Sequence, residues 1–321
     1  MIIIPLLLLV LGFFLLVRSS DWLIDGTSSV AKRFHVPDLT IGLTIIAFGT
    51  SAPELMVSLI AAFTGSGDLS VANIIGSNIA NILLILGVAA VIYPLTVKRS
   101  TTWKEIPFSL LAIIILGVMA LDSLRTGSAT FQRSDGIILL SFFVLFMVYV
   151  FDMVRSGSRP ADLKDIEVKH MKVKKAVFLM VAGIIGLALG GRAVVSGAVV
   201  LARTFGFSER LIGLTIVAIG TSLPELVTSA VAAFKHRADI AVGNIIGSNI
   251  FNIFWILGLT ATIRPISVPV DILGDILVAI GATLLLMLFL FVGPRRRLDR
   301  VKGSLLLASY FGYLVYLVVV R

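Results

Sequence analysis

Fifty-six residues of this chain occur twice. Ile41 to Thr96 aligns with Ile212 to Ser267 at a constant offset of 171 without a gap, and 33 of the 56 positions are identical. Each copy opens with an apolar run, IGLTIIAFGTSAPEL from Ile41 and IGLTIVAIGTSLPEL from Ile212, that breaks at Gly-Thr-Ser-x-Pro-Glu and then resumes. Apolar runs of this length read as membrane-spanning helices. Gly and Pro disturb helical hydrogen bonding, and Glu54 and Glu225 set a carboxylate beside each disturbance. A charged side chain at bilayer depth costs roughly 2.5–3.5 kcal/mol on insertion scales. Bearing that cost twice, in one local setting, points to a functional requirement.

Composition agrees with a bilayer environment. Mean hydropathy is +1.07, and 14% of residues are charged, against about 25% in a soluble domain. The chain has no cysteine, which excludes disulfides, thiolate metal sites and a cysteine nucleophile. Its histidines, His35, His170 and His236, fall in polar connections, so no His-rich metal site lies within the spans. The net charge of +9 comes from basic residues flanking apolar spans, where they set topology and meet anionic lipid rather than nucleic acid. Met1 to Val17 lacks a basic start and a small-residue cleavage site, and it reads as a first span rather than a signal peptide. No obligatory protein partner and no cofactor are evident.

Ten spans follow: 2–31, 38–63, 69–92, 104–121, 134–152, 173–202, 209–234, 239–262, 271–292 and 301–320. A polar linker, 153–172, divides a first half, 1–152, from a second, 173–321, and is too short for a regulatory domain. Of the Lys and Arg in the connections, 19 fall after the odd-numbered spans and 6 on the opposite side. The positive-inside rule therefore places the linker in the cytoplasm and both termini outside it. Five spans per half is an odd number, so the second copy enters the membrane from the other side. The expected fold is an all-α integral membrane protein of ten transmembrane helices arranged as two inverted five-helix repeats. In such architectures the site lies at mid-membrane, where the repeats meet.

The break frees hard oxygen ligands. With Gly49 and Pro53 in place, carbonyls around Ile46 and Ala47 are expected to lose helical partners, and Thr50, Ser51 and Glu54 add side-chain oxygens. A second motif, Asn73-Ile-Ile-Gly-Ser-Asn-Ile-Ala-Asn81, recurs as Asn244-Ile-Ile-Gly-Ser-Asn-Ile-Phe-Asn252. Ser77 and Asn81, four residues apart, share a helix face, as do Ser248 and Asn252. Asn78 and Asn249 point about 100° away and are weaker candidates, while Asn73 and Asn244 line the approach or cap a break. Oxygen ligands without sulfur or imidazole suit Na⁺, Ca²⁺ or Mg²⁺ and argue against zinc or copper. Two facing glutamates would balance one Ca²⁺.

Blander readings stand beside this one. Ser51-Ala-Pro-Glu54 and Ser222-Leu-Pro-Glu225 also fit a capping box, which would help keep the carboxylates ionised at a helix N-terminus. The Gly-Ser-Asn stretches also suit close helix packing. Arg18, Asp21 and Asp25 lie along one face of the first span, with Arg192 at the Asp21-equivalent position, as an internal ion pair or a water path. Trp22 and Trp103 read as interface anchors.

Gly-Thr-Ser-x-Pro-Glu followed by Gly-Ser-Asn-Ile-x-Asn, twice over, resembles the α-repeats of the sodium/calcium exchanger family, part of the calcium/cation antiporter superfamily. The resemblance spans essentially the whole chain. It implies that spans 2, 3, 7 and 8 bind the ions and that spans 1 and 6 slide across them to switch access. It implies as ligands Ala47 (carbonyl), Thr50, Ser51, Glu54, Ser77 and Asn81, and in the second repeat Ala218 (carbonyl), Thr221, Ser222, Glu225, Ser248 and Asn252. Glu54 and Glu225 would serve Ca²⁺ and Na⁺ in turn. Potassium-dependent relatives carry Asp at the place of Asn252, and proton-coupled relatives show Gly-Asn-x-x-Glu for the first motif, so both departures favour Na⁺/Ca²⁺ antiport in the cell membrane. A Ca²⁺/H⁺ antiporter is the nearer alternative, and a channel or an intramembrane hydrolase using Glu54 and Glu225 as acid and base the remoter ones.

Overall fold

A computed structural model describes residues 3–125, 127, 129–155, 171–206, 218–269, 271–293 and 296–320. The chain is almost wholly helical. Long apolar stretches run through as α1 (Ile3–Phe34), α4 (Gly67–Ile92), α5 (Thr101–Arg125), α6 (Arg133–Arg155), α7 (Val173–Thr204), α10 (Ala238–Ile263) and α11 (Ile272–Phe291). Where the Gly-Thr-Ser-x-Pro-Glu motif intervenes, the helix divides: α2 (Asp38–Thr50) meets α3 (Ala52–Thr64) at a 45° bend on Ser51. In the second copy α8 (Ala218–Thr221) and α9 (Leu223–Phe234) divide at Ser222. The last helix is α12 (Arg300–Val320). Among the described residues seven helices are long and apolar enough to cross a membrane, or eight if the bent pair is one span. The start expected for the seventh span, 209–217, and most of the linker, 156–170, lie outside the described residues.

Two short strand pairs depart from a purely helical expectation. Strand β1 (Leu95–Thr96) pairs antiparallel with β4 (Arg297–Leu298), and β2 (Thr130–Phe131) with β3 (Ile266–Ser267). Each pair joins a connection of one half to a connection of the other. The hydrogen-bonding groups of these turns are thereby satisfied at span ends, where an unpaired backbone is costly.

The core is the motif helices. The apolar window of α10 is 94% buried and that of α4 is 78% buried, whereas α6 and α1 keep most of theirs exposed to the surroundings. Without a hydrophobic drive between helices in lipid, close approach requires small residues. A Cβ placed on Gly247 of α10 would stand 2.7 Å from the carbonyl oxygen of Leu43 in α2, and one on Gly42 would stand 3.0 Å from the Cα of Gly243. Gly247→Val is therefore expected to push α2 off α10 and lower stability by about 1–3 kcal/mol. Gly281→Ala, in α11 with no atom within 4 Å of the added carbon, leaves the melting temperature in detergent unchanged or slightly raised. Equal losses in both variants would refute the close-packing account.

Helices α1 and α7 form a separate antiparallel pair. Gly12 abuts Gly190 and Val194 near one end, and Gly26 abuts Ala176 and Met180 near the other. This pair lies over the breaks, where Gly49 receives Ile184 and Gly220 receives Val195. The glycines that interrupt the core helices thus also make the surface on which α7 rests.

Candidate ion-binding site

Each break reaches the carboxylate of the other. Ser51 Oγ donates to Glu225 Oε1 at 2.9 Å, and Ser222 Oγ lies 3.4 Å from Glu54 Oε1. Ser77 of α4 completes the contact, 2.9 Å from Ser222 Oγ and 3.4 Å from Glu54 Oε1. Glu54, Glu225, Ser51, Ser77 and Ser222 are all buried. Among the described residues neither glutamate has an ion-pair partner. Two buried carboxylates without a basic neighbour among the described residues form, when ionised, a centre of negative potential that a cation offsets.

The second motif supplies oriented amides. Asn81 Nδ2 donates to Asn249 Oδ1, and Asn252 Nδ2 donates to Asn78 Oδ1, both at 2.9 Å. Asn78 Nδ2 and Asn249 Nδ2 each donate to the other's carbonyl, at 3.2 and 3.4 Å. With both donors committed to this crossing, the Oδ1 atoms of Asn81 and Asn252 remain buried and without a partner among the described residues. Glu54 Oε2, Glu225 Oε2 and Ser248 Oγ share that condition. Buried polar atoms are ordinarily satisfied, so five such oxygens on two paired motifs are the observation that fits a hard cation.

The remaining candidates fall around this centre. Thr50 Oγ1 donates to Asn244 Oδ1 at 3.1 Å, and Thr221 Oγ1 to Asn73 Oδ1 at 3.2 Å. Asn73 and Asn244 therefore hold the threonines of the opposite repeat rather than cap a break. Ser248 is fully buried one turn before Asn252. The side chain of Ala218 lies outside the described residues, and its backbone begins α8. Asn78 and Asn249, the weaker candidates by helical phase, carry the contact between the repeats. Their phase turns them away from the site and toward each other.

Two local expectations are corrected. Neither Ser51 nor Ser222 makes a side-chain cap, so the capping box does not form. A hydroxyl facing a buried carboxylate makes a charge-assisted bond, stronger than the one it would make to a helix-end amide. Nor is the Ala47 carbonyl left free: it accepts from Ser51 N at 3.0 Å, with Thr50 Oγ1 3.3 Å away. The bend is shallow enough for the amide at Ser51 to keep its helical partner, so the donor that Pro53 lacks is lost to Gly49 instead. In the second copy the amide of Ser222 turns to Ile219 O at 3.1 Å.

A cavity of about 240 Å³ reaches the breaks between α3, α7 and the α8–α9 junction. Pro53, Val57, Arg192, Ser196, Thr221 and Pro224 line it. Asp21 and Asp25 do not pair with Arg192. Both bind Lys235, a partner that sequence reading did not supply.

The model of the family described as sodium/calcium exchanger protein matches residues 4–151 and 175–319. This chain belongs to that family. The putative antiporter CaxA of Alkalimonas amylolytica is 41% identical over 94% of this chain and 95% of its own. The sodium/calcium exchanger MaX1 of Methanosarcina acetivorans is 30% identical over 99% of both. A solved structure of the sodium-calcium exchanger NCX_Mj superposes with a TM-score of 0.82 at 33% identity, covering 99% of this chain and 100% of that one. The chain is accordingly a multi-pass membrane protein of the exchanger family, with an antiporter-type helical fold.

Proposed function

We propose that this protein is a Na⁺/Ca²⁺ antiporter of the cell membrane that extrudes Ca²⁺ as Na⁺ enters. The observation that carries the reading is the crossed contact between breaks, Ser51 to Glu225 and Ser222 to Glu54. In this reading ten spans form two inverted five-helix halves, 1–152 and 173–321, joined by a cytoplasmic linker, 153–172, with both termini outside. The bias of basic residues toward one side supports that orientation. Ca²⁺ takes six to eight oxygens in flexible geometry. Glu54, Glu225, Asn81, Asn252, Ser77 and Ser248 supply side-chain oxygens, with Thr50, Ser51, Thr221 and Ser222 around them and the carbonyl of Ala218 at the second break.

Antiport follows from charge. Two buried carboxylates cannot move past a low-dielectric seal without compensation, since each uncompensated ion costs several kcal/mol. One Ca²⁺, or Na⁺ ions in its place, neutralises them, and the two substrates exclude each other because they require the same oxygens. The α1–α7 pair, packed on the breaks through small residues, is the element whose movement exposes the site to one face and then the other. The neutral amide of Asn252 leaves the site two carboxylates and removes the acidic group that K⁺-dependent relatives carry there.

Vesicles containing the purified protein, loaded with Na⁺ and diluted into Na⁺-free medium, are expected to accumulate radiolabelled Ca²⁺. Replacing internal Na⁺ with K⁺ should abolish uptake, and a pH gradient alone should not restore it. Uptake driven by the pH gradient without Na⁺ would overturn the assignment of the driving ion.

A further inference from the structure

The two copies of the repeat diverge where the broken helix turns into the next. Thr64-Gly65-Ser66 joins α3 to α4, whereas Lys235-His236-Arg237 joins α9 to α10. All three residues of the second turn are engaged. Lys235 Nζ lies 2.8 Å from Asp21 Oδ1 and 2.9 Å from Asp25 Oδ1, one turn apart on α1. Arg237 Nη1 lies 2.9 Å from Asp38 Oδ2 at the start of α2 and 3.4 Å from Ser28 Oγ of α1. The ring of His236 stacks on Tyr93 at the end of α4, with centroids 4.2 Å apart. Arg237 and Asp38 are 9% and 14% exposed, so their bond is shielded, while the Lys235 cluster is about one-third exposed.

The opposite face has different chemistry. Arg192 stands at the position equivalent to Asp21, and the turn equivalent to Lys235–Arg237 offers no carboxylate. That is the face on which the cavity reaches Pro53 and Thr221. One end of α1 is thus tied to the core by ions, and the repeat-related end of α7 borders an opening.

We propose that the bonds of Lys235 to Asp21 and Asp25 are a latch that holds the site closed on that face and biases the resting protein to open on the cavity face, with Arg237 and Asp38 fixing the turn that carries Lys235 to the core. The proposal rests on the alternating-access reading above. Asp21 and Asp25 belong to the α1–α7 pair and Lys235 to the ion-binding core, so displacement of one past the other by a helical turn, about 5 Å, parts them. The pair is partly exposed, which keeps its contribution modest, and here two carboxylates share one ammonium. Loss of Lys235 is therefore expected to change the ratio of the two access states by about three- to tenfold.

The absence of native cysteine allows single-cysteine reporters. Val57 lines the cavity and is 38% exposed, whereas its repeat counterpart Thr228 is fully buried. Val57→Cys and Thr228→Cys are each prepared in the full chain with and without Lys235→Ala, and labelling by a charged maleimide is timed. The latch predicts that Lys235→Ala raises the Thr228→Cys rate about three- to tenfold and lowers the Val57→Cys rate. Lys235→Arg should preserve both rates. Asp21→Asn with Asp25→Asn should reproduce the effect, and adding Lys235→Ala should bring no further change. An unchanged Thr228→Cys rate, or both rates rising together as in a loosened fold, would overturn the proposal. Opposite shifts at the two reporters in a protein without Na⁺-driven Ca²⁺ flux would uphold the latch and defeat the antiport reading.

Discussion

Glu54→Gln and Glu225→Gln are each expected to abolish Na⁺-driven Ca²⁺ uptake in vesicles, a loss of at least about a hundredfold, while the protein becomes more resistant to heat in ion-free detergent. The two effects have one origin. Glutamine preserves shape and burial, but it removes a charge that has no ion-pair partner among the described residues and turns one oxygen into a donor that repels a cation. A buried uncompensated ion costs several kcal/mol, and the neutral amide removes that cost. The native chain, in contrast, should gain stability from Ca²⁺ by mass action, about 2.7 kcal/mol at a hundred times its dissociation constant. Melting curves with and without Ca²⁺ separate these contributions. Either variant retaining both uptake and Ca²⁺-dependent stabilisation would remove its glutamate from the site.

Asn249→Leu is the second large effect expected, although Asn249 is not placed as a ligand. Its Oδ1 takes the Asn81 amide at 2.9 Å and its Nδ2 reaches the Asn78 carbonyl at 3.4 Å. Leucine strands both groups in a buried setting, at a cost of about 1–3 kcal/mol for each unsatisfied group. It also frees Asn81 to turn its NH₂ toward the cation. Ca²⁺ binding measured calorimetrically should weaken at least about tenfold, with a lower melting temperature. Binding unchanged in a folded variant would show that Asn81 is oriented by something else.

Much of this was legible from the residues because it depends on local chemistry. An offset of 171, a Gly and a Pro inside an apolar run, and Ser and Asn at four-residue spacing all follow from the chain alone. They place two helical breaks, two carboxylates and two polar faces in any fold that spans a bilayer. The partners were not legible. Ser51 as a local cap and Ser51 as donor to Glu225 are equivalent in sequence. The choice falls to the carboxylate 174 residues away, since a buried charge binds a hydroxyl more strongly than a helix amide does. Helical phase gave Asn78 and Asn249 lower odds as ligands, yet it could not reveal that they face each other across the repeats.

Lys235 shows the same division. As a residue after an apolar helix it reads as a topology signal, and only the packing of α1 against α9 brings Asp21 and Asp25 to it.

The broken runs from Ile41 and Ile212 were therefore determined as far as their covalent order allows: where each helix breaks, and which oxygens stand beside the break. The tertiary structure decided which break faces which and where each hydroxyl points. It also decided which end of the α1–α7 pair is held by ions, because those outcomes depend on distances between residues that the chain keeps far apart.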